Sequence, residues 1–462
     1  MYNINDPFRF SDLPIFRVAA IVALLLLMSM PSVASDLSGR LIIVTSFPEH
    51  MFERFISAFQ SQHPKLKTFV RSKKTSAAIS FIQERESDPV DIIWASAPDA
   101  FEVLKKSGHL AQAFPAPQGE NHRIGGYPLD DLGGYYRGFA VSGYGIMWNT
   151  PYLEQSGLPV PRTWDDLRNP VYAGHLGISA PSRSGTMHLI IETILQGKGW
   201  DDGWAALLEI GGNLATVTAR SFGVLDGVRR GRFGAGPVID FFGLSAIATG
   251  APVGFVYPDA TVFLPANIAL VTGGENPEAA KAFVQFILSP AGQEILLEPE
   301  ISRLPVLRDT YKNARPGFPN PYDDDLTRKG IPFNTELSRT RYHLVNALFD
   351  AMITYRLRGL TQAWNALHEA EAASANVSDE NIARRLAEAR HLLTRVPVSS
   401  QEASDLKFAS GFVHRRSGLP VPSLQVKLEA EWERMVQGNH EQAIKLSREI
   451  LGVVESTPVT RP

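Results

Sequence analysis

The sequence predicts an α/β protein made of two successive strand–helix sets, followed by a helical extension. Three observations predict it. Between residues 41 and 98, short apolar runs ending in polar loops alternate with helix-period segments. The same alternation returns between residues 138 and 240, after a glycine-broken apolar stretch. Beyond about residue 305 the strands cease, a Pro- and Asp-rich stretch intervenes, and helical spacing governs the remainder.

The first residues come before this fold. Arg9 and Arg17 precede an apolar run over 18–30, and Ser32-Val33-Ala34 offers small residues where a signal peptidase reads them. We expect a secretory signal over 1–34 and a mature chain beginning near Ser35. The run falls short of the roughly 20 residues of a membrane-spanning helix; an uncleaved N-terminal anchor is the alternative. LIIVTSF, residues 41–47, has the continuous apolar character of a buried parallel strand. Met51, Phe52, Phe55, Ile56 and Phe59 then share one helical face, bracketed by Pro48 and Pro64. KTFVR predicts a strand, 79–86 a helix, and DIIWASAP, residues 91–98, another strand. GFAVSGYGIMWN, residues 138–149, fits a strand that crosses between two halves, since glycine permits bending or close approach.

The second set runs through HLGISAPSRSGT, a helix to Gly197, NLATVT, a helix over 224–229 and GPVID, with VGFVYPD and NIALVT as return strands. Asn276-Pro277-Glu278 and Ser289-Pro290 have the cap and first-turn residues of helix starts. The stretch DTYKNARPGFPNPYDDD predicts a linker or surface wrap. In the tail, Leu344, Leu348, Met352 and Tyr355 mark one helix. Ile382, Leu386 and Leu393 mark a second, Leu424, Leu428, Trp432 and Met435 a third, and Ala443 to Leu451 a fourth.

Composition narrows function. The 462 residues are 44% hydrophobic and 20% charged with net charge −3, which gives no reason to expect nucleic acid or a membrane surface as partner. Without cysteine there are no disulfides, thiolate metal sites or cysteine nucleophile. No catalytic signature occurs: neither Gly-x-Ser-x-Gly, nor His-Glu-x-x-His, nor a glycine-rich Lys-Ser/Thr phosphate loop. No catalytic residue, cofactor or metal ligand is expected. The histidines are scattered, and His188 fits an ordinary helix residue better than a general base.

The polar loops carry the binding hypothesis. Ser182, Arg183, Ser184, Gly185 and Thr186 open a helix, where unpaired N–H groups and the helix dipole suit an anion. Capping alone is the competing explanation. Three loops of similar character end strands of the first set: Thr45-Ser46-Phe47, Thr75-Ser76, and Ser96. Arg220 and Ser221 precede another predicted helix and suit either the same anion or a surface turn. Asp240 ends an apolar strand and suits a ligand hydroxyl or amine, with a cap for the chain after it as the alternative.

Taken in order, LIIVTSF, DIIWASAP, GFAVSGYGIMWN, PSRSGT, RSFGV and GPVID resemble the periplasmic solute-binding proteins of the two-lobed, iron-and-organophosphate-like branch. The resemblance implies the type II fold, with lobe one at 35–140 and 255–306, lobe two at 141–254, a linker at 307–335 and a helical domain at 336–462. It also implies a monomer in the periplasm that closes on a small anionic ligand. Ferric-ion binders of that branch carry adjacent tyrosines after the strand matching GPVID. Here that stretch is Asp240-Phe241-Phe242, and phenylalanine offers iron no oxygen, so a phosphorylated organic anion fits better. The tail stretches ITYRLRGLTQAWNALHEAE and LLTRVPV resemble phosphoglycerate transport regulatory proteins. That resemblance implies phosphate contacts from Ser182, Ser184, Thr186 and Ser221. Its partner is a sensor histidine kinase; the plain solute-receptor alternative has an inner-membrane permease. A ferric-ion receptor and a periplasmic hydrolase are the remaining alternatives.

Overall fold

The computed structural model describes residues 37–84, 89–96, 98–116, 123–124, 127–413 and 420–456, so the expected signal segment lies outside the described residues. Two mixed sheets organise the chain. The first takes β1 (Gly39–Thr45), β2 (Leu66–Ser72), β3 (Ile92–Ala95), β4 (Arg137–Ser142), β10 (Leu264–Leu270) and β11 (Leu304–Pro305). Its strand order is β11-β4-β10-β3-β1-β2. The second takes β5 (Tyr144–Asn149), β6 (Leu176–Ser179), β7 (Leu214–Thr218), β8 (Ala235–Ile239) and β9 (Val253–Val256), in the order β9-β5-β8-β6-β7.

β1 runs parallel to β2 and β3, while β10 opposes β3 and β4; in the second sheet β6 runs parallel to β7 and β8, and β5 opposes β8. The strand-like stretch 138–149 is therefore two strands, β4 and β5, broken at Gly143. A Cβ on Gly143 would lie 2.7 Å from both the Phe263 and Tyr257 rings, so only glycine lets the chain pass from one sheet to the other there. A second passage runs from Tyr257 to Phe263. Thr261 holds it to the first: its hydroxyl donates to the Tyr144 carbonyl (2.6 Å).

Local sequence explains the helices. α1 (Glu49–Gln62) buries all five residues of its expected face under the first sheet. α2 (Thr75–Glu84) begins earlier than its apolar residues suggest, so Thr75 and Ser76 stand in its first turn. α3 (Pro98–Lys106) follows β3. In the second lobe α4 (Gly185–Lys198), α5 (Trp200–Gly212), α6 (Ser221–Arg229) and α7 (Asp240–Ala248) flank the sheet. α6, like α2, starts before its predicted apolar onset, by three residues against four. The Asn276 and Ser289 caps form as expected, accepting from Ala279 and Gly292 amides (3.3 and 3.2 Å).

The tail is not a separate body. Its helices α8 (Tyr342–Phe349), α9 (Leu357–Ser374), α10 (Glu380–Thr394) and α11 (Ser423–Ser456) share one apolar core with the second sheet. That core runs from Leu176 and Ile190 through Trp204 to Leu344, Trp364 and Trp432. Gly212 packs so closely on the Trp364 indole that a Cβ would sit 2.5 Å from it. A buried bidentate pair adds to this, Arg341 donating to both oxygens of Glu192 (2.9 and 2.8 Å). The expected apolar stripe through Tyr355 breaks, because residues Asp350–Thr354 form a π-turn that rotates Tyr355 outward to 58% exposure. Leu424 is likewise exposed rather than buried. Among the described residues, no helix is long and apolar enough to cross a membrane.

Candidate functional site

Strand direction decides where the loops gather. β1 and β3 end at Thr45 and Ala95, and β4 ends at Ser142 immediately before the chain enters the second sheet. β6, β7 and β8 end at Ser179, Thr218 and Ile239, and Ile239 pairs with Tyr144, the first residue of β5. The carboxyl edges of both sheets therefore meet at the same passage, where ligands of open α/β sheets bind. The loops at 45–47, 75–76, 96, 182–186 and 220–221 all belong to these edges.

Asp240 holds the hinge rather than facing outward. One carboxylate oxygen accepts from the Gly143 amide (2.6 Å) and the Tyr257 hydroxyl (3.0 Å), and the other accepts from the Phe241 amide (2.7 Å). Gly143 lies in the first passage and Tyr257 at the start of the second, so one carboxylate joins both. Burial pushes Asp240 up to about 7, against the pull of these three donors and of Arg303. The expectation of a ligand contact from Asp240 is thus corrected: the carboxylate is fully buried, and both its oxygens serve the hinge.

Arg303, which the sequence did not bring to notice, occupies the space between the lobes. It is 2% exposed. Its guanidinium lies 4.6 Å from the ring centroid of Phe47, at the end of β1, and 3.7 Å from that of Phe241, on α7. Nε and Nη1 find no hydrogen-bond partner among the described residues. Burial lowers its affinity for the proton to about 9, with Asp240 and Tyr144 opposing. Phe47 itself rests on Trp94 and Phe139. It contributes a platform for Arg303 rather than a direct polar contact. Among the described residues, the buried hydroxyls of Ser46, Ser142 and Ser179, all at carboxyl ends of strands, also lack partners.

The other expected residues divide. Thr45 is committed internally, donating to the Trp94 carbonyl (2.7 Å) and accepting from the Phe47 amide (3.1 Å), so it shapes the turn. Ser184 caps α4, its hydroxyl accepting from the Met187 amide (3.1 Å). That leaves the first-turn amides of Gly185 and Thr186, with open space beside Gly185 where a side chain would stand. Ser182 and Arg183 line a cavity shared with Asn346, Asp350 and Gln425 of the tail. Arg220 is exposed at the start of α6, and Ser221, Thr75 and Ser96 are half-buried. His188 is fully buried, its ring nitrogens hydrogen-bonded to Asn346 (2.9 Å) and Ser338 (3.2 Å) of the tail. It joins tail to lobe and faces no cleft.

The family model for bacterial extracellular solute-binding proteins matches residues 87–334. The phosphoglycerate transport regulatory protein PgtC of Salmonella typhimurium is 30% identical over 413 residues, covering 89% of this chain and 98% of that one. Among solved structures, the periplasmic binding protein AfuA from Actinobacillus pleuropneumoniae, with exogenous fructose-6-phosphate bound, superposes with a TM-score of 0.57. It is 23% identical and covers 68% of this chain and 98% of its own. The periplasmic binding protein P5PA superposes at 0.56 with 20% identity, over 68% of this chain and 100% of its own. Iron-bound HitA from Pseudomonas aeruginosa superposes at 0.51 with 16% identity, over 61% and 90%. These superpositions are likenesses of fold.

Proposed function

This chain belongs to the bacterial extracellular solute-binding protein family, and we propose that it captures a small phosphorylated organic anion between its lobes in the periplasm and reports it to a membrane partner. The observation that carries this is Arg303: a buried guanidinium held between rings of opposite lobes, with two nitrogens unpartnered. A buried cation without an acceptor is strongly unfavourable unless an anion completes it. The Gly185 and Thr186 amides, with the start of α6, supply the phosphate seat without formal charge. Thr75, Ser76 and Ser96 come from the facing lobe.

The kinship with PgtC and the tail built into the second lobe support signalling through a sensor kinase over plain delivery to a permease. Ligand shifts the open–closed balance only by its extra affinity for the closed state. The test is calorimetry of the purified chain against three-carbon phosphates, hexose phosphates, inorganic phosphate and ferric ion. Saturable binding of a phosphorylated compound, weakened by Thr186→Glu, which sets a like charge at that helix start, without loss of fold, is expected. Binding of ferric ion alone overturns the proposal.

A further inference from the structure

Residues 334–342, which lead from the Pro-rich stretch into α8, touch both lobes. Toward the second lobe the contacts are deep. The Asn334 amide donates to the Gln196 side-chain oxygen (2.7 Å), and the Gln196 side-chain nitrogen donates to the Asn334 carbonyl (3.2 Å). The helical turns Thr335–Thr340 then bring Ser338 to His188 (3.2 Å) and Arg341 onto Glu192, and the Tyr342 ring lies 4.0 Å from that of His188. Gln196, His188 and Glu192 all stand on α4, and Ser338 and Arg341 are buried. Toward the first lobe the contacts are fewer. The Tyr127 and Thr335 hydroxyls share a hydrogen bond (2.8 Å). Lys106, the last residue of α3, lies 3.5 Å from Glu336, with both side chains more than half exposed. Glu336 also accepts from Arg339 of its own turns (3.1 Å). Asp99, in the first turn of α3, faces the same region: its buried Oδ1 finds no hydrogen-bond partner among the described residues. Burial pushes Asp99 up to about 7, Glu192 of α4 adds to the push, and Arg339 opposes it.

The two sides are unequal, and the inequality decides which gives way. An exposed ion pair adds little, whereas a buried charge stripped of its partner is strongly unfavourable. When the lobes part, a segment held in this manner keeps α4 and lets go of Tyr127 and Lys106. Resting on the closure proposed above, we infer that residues 334–342 form a strap that fastens the first lobe to the tail in the closed form and releases it in the open form. The strap is rooted in the second lobe through α4 and continues directly into α8, so making or breaking its first-lobe bonds changes what the tail is attached to. Those bonds also favour closure, so the tail takes part in setting the balance between open and closed.

The chain contains no cysteine, so introduced pairs carry spin labels at chosen places. Lys67→Cys with Glu388→Cys measures the first lobe against the tail, and Arg230→Cys with Glu388→Cys measures the second lobe against it; all three positions are exposed. Pulsed dipolar spectroscopy on the ligand-free full chain should give a short and a long distance for the first pair and one distance for the second. Tyr127→Phe combined with Lys106→Ala should lower the short-to-long ratio of the first pair by about three- to tenfold, as the loss of one hydrogen bond and one weak ion pair implies. The second pair should not change. Thermal melts check folding, and if that variant does not fold, Thr335→Ala removes the same hydrogen bond from the strap side and carries the comparison. An unchanged ratio, a single first-pair distance in wild type and variant alike, or a shift in the second pair overturns the inference. No ligand enters these measurements, so those outcomes leave the organophosphate reading intact. Failure of that reading in calorimetry leaves the strap to stand or fall on the distances.

Discussion

Replacing Arg303 by methionine should make the ligand-free protein more stable, a consequence opposite to that of most substitutions in a protein interior. The folded state lowers the arginine from its ordinary value to about 9, chiefly through burial, and that difference corresponds to roughly 5 kcal/mol against the charged form. Contacts with the Phe47 and Phe241 rings return about 1–2 kcal/mol each when water is excluded, or about 3 kcal/mol together. The net gain expected for Arg303→Met is therefore roughly 2 kcal/mol, within the range seen when buried charges give way to apolar side chains of similar volume. The sign with pH follows from proton counts. Between about 9 and the ordinary arginine value the unfolded chain binds more protons at this position than the folded one, so the wild type gains stability as pH rises through that window. At neutral pH the whole penalty is present, and the gap between variant and wild type should be widest there. Urea denaturation without ligand at pH 7 and pH 9.5 measures both effects. A lower denaturation midpoint for Arg303→Met at pH 7 would refute the view that this guanidinium is uncompensated.

Asp240 gives a second pH signature. Its folded value near 7 lies above the ordinary 3.8, so the folded state holds the extra proton and stability from this group falls as pH rises from about 4 to 7; Asp240→Asn should flatten that slope in urea melts at pH 5 and pH 8. Gly143→Ala forces a Cβ to 2.7 Å from two rings and should destabilise by about 1–3 kcal/mol in thermal denaturation. Glu192→Gln leaves Arg341 buried without its counter-charge and should cost about 3–5 kcal/mol, with hydrogen exchange rising first across 335–349.

Most of the fold is written in local patterns. The face of α1, the apolar strands and the Asn276 and Ser289 caps follow from spacing and residue type, because each depends on neighbours within one or two turns. The site is only half legible. Hydroxyl-rich loops at strand ends show themselves, but whether a hydroxyl is free depends on a distant acceptor: the Trp94 carbonyl claims Thr45, and the hinge claims Asp240. Arg303 sits in ISRLP, with no motif around it. Its one signal is a lone charge between the apolar Ile301 and Leu304, and its meaning comes from rings some 60 and 250 positions away. The π-turn at Asp350–Thr354 escapes a reading based on period 3.6, since the extra residue per turn leaves no compositional trace. His188 looked inert as a lone histidine, yet its partners lie 150 and 158 residues downstream.

The fusion of the tail with the second sheet has a mechanical consequence. α11 spans 34 residues, roughly 50 Å of rod at 1.5 Å per residue. Joined through Trp432 and Trp364 to the core of the second sheet, it follows any rotation of that sheet, and each degree at its base carries its far tip through roughly 0.9 Å. Under the closure proposed above, a rotation of a few degrees would displace that tip by a few ångströms, like the needle of a gauge.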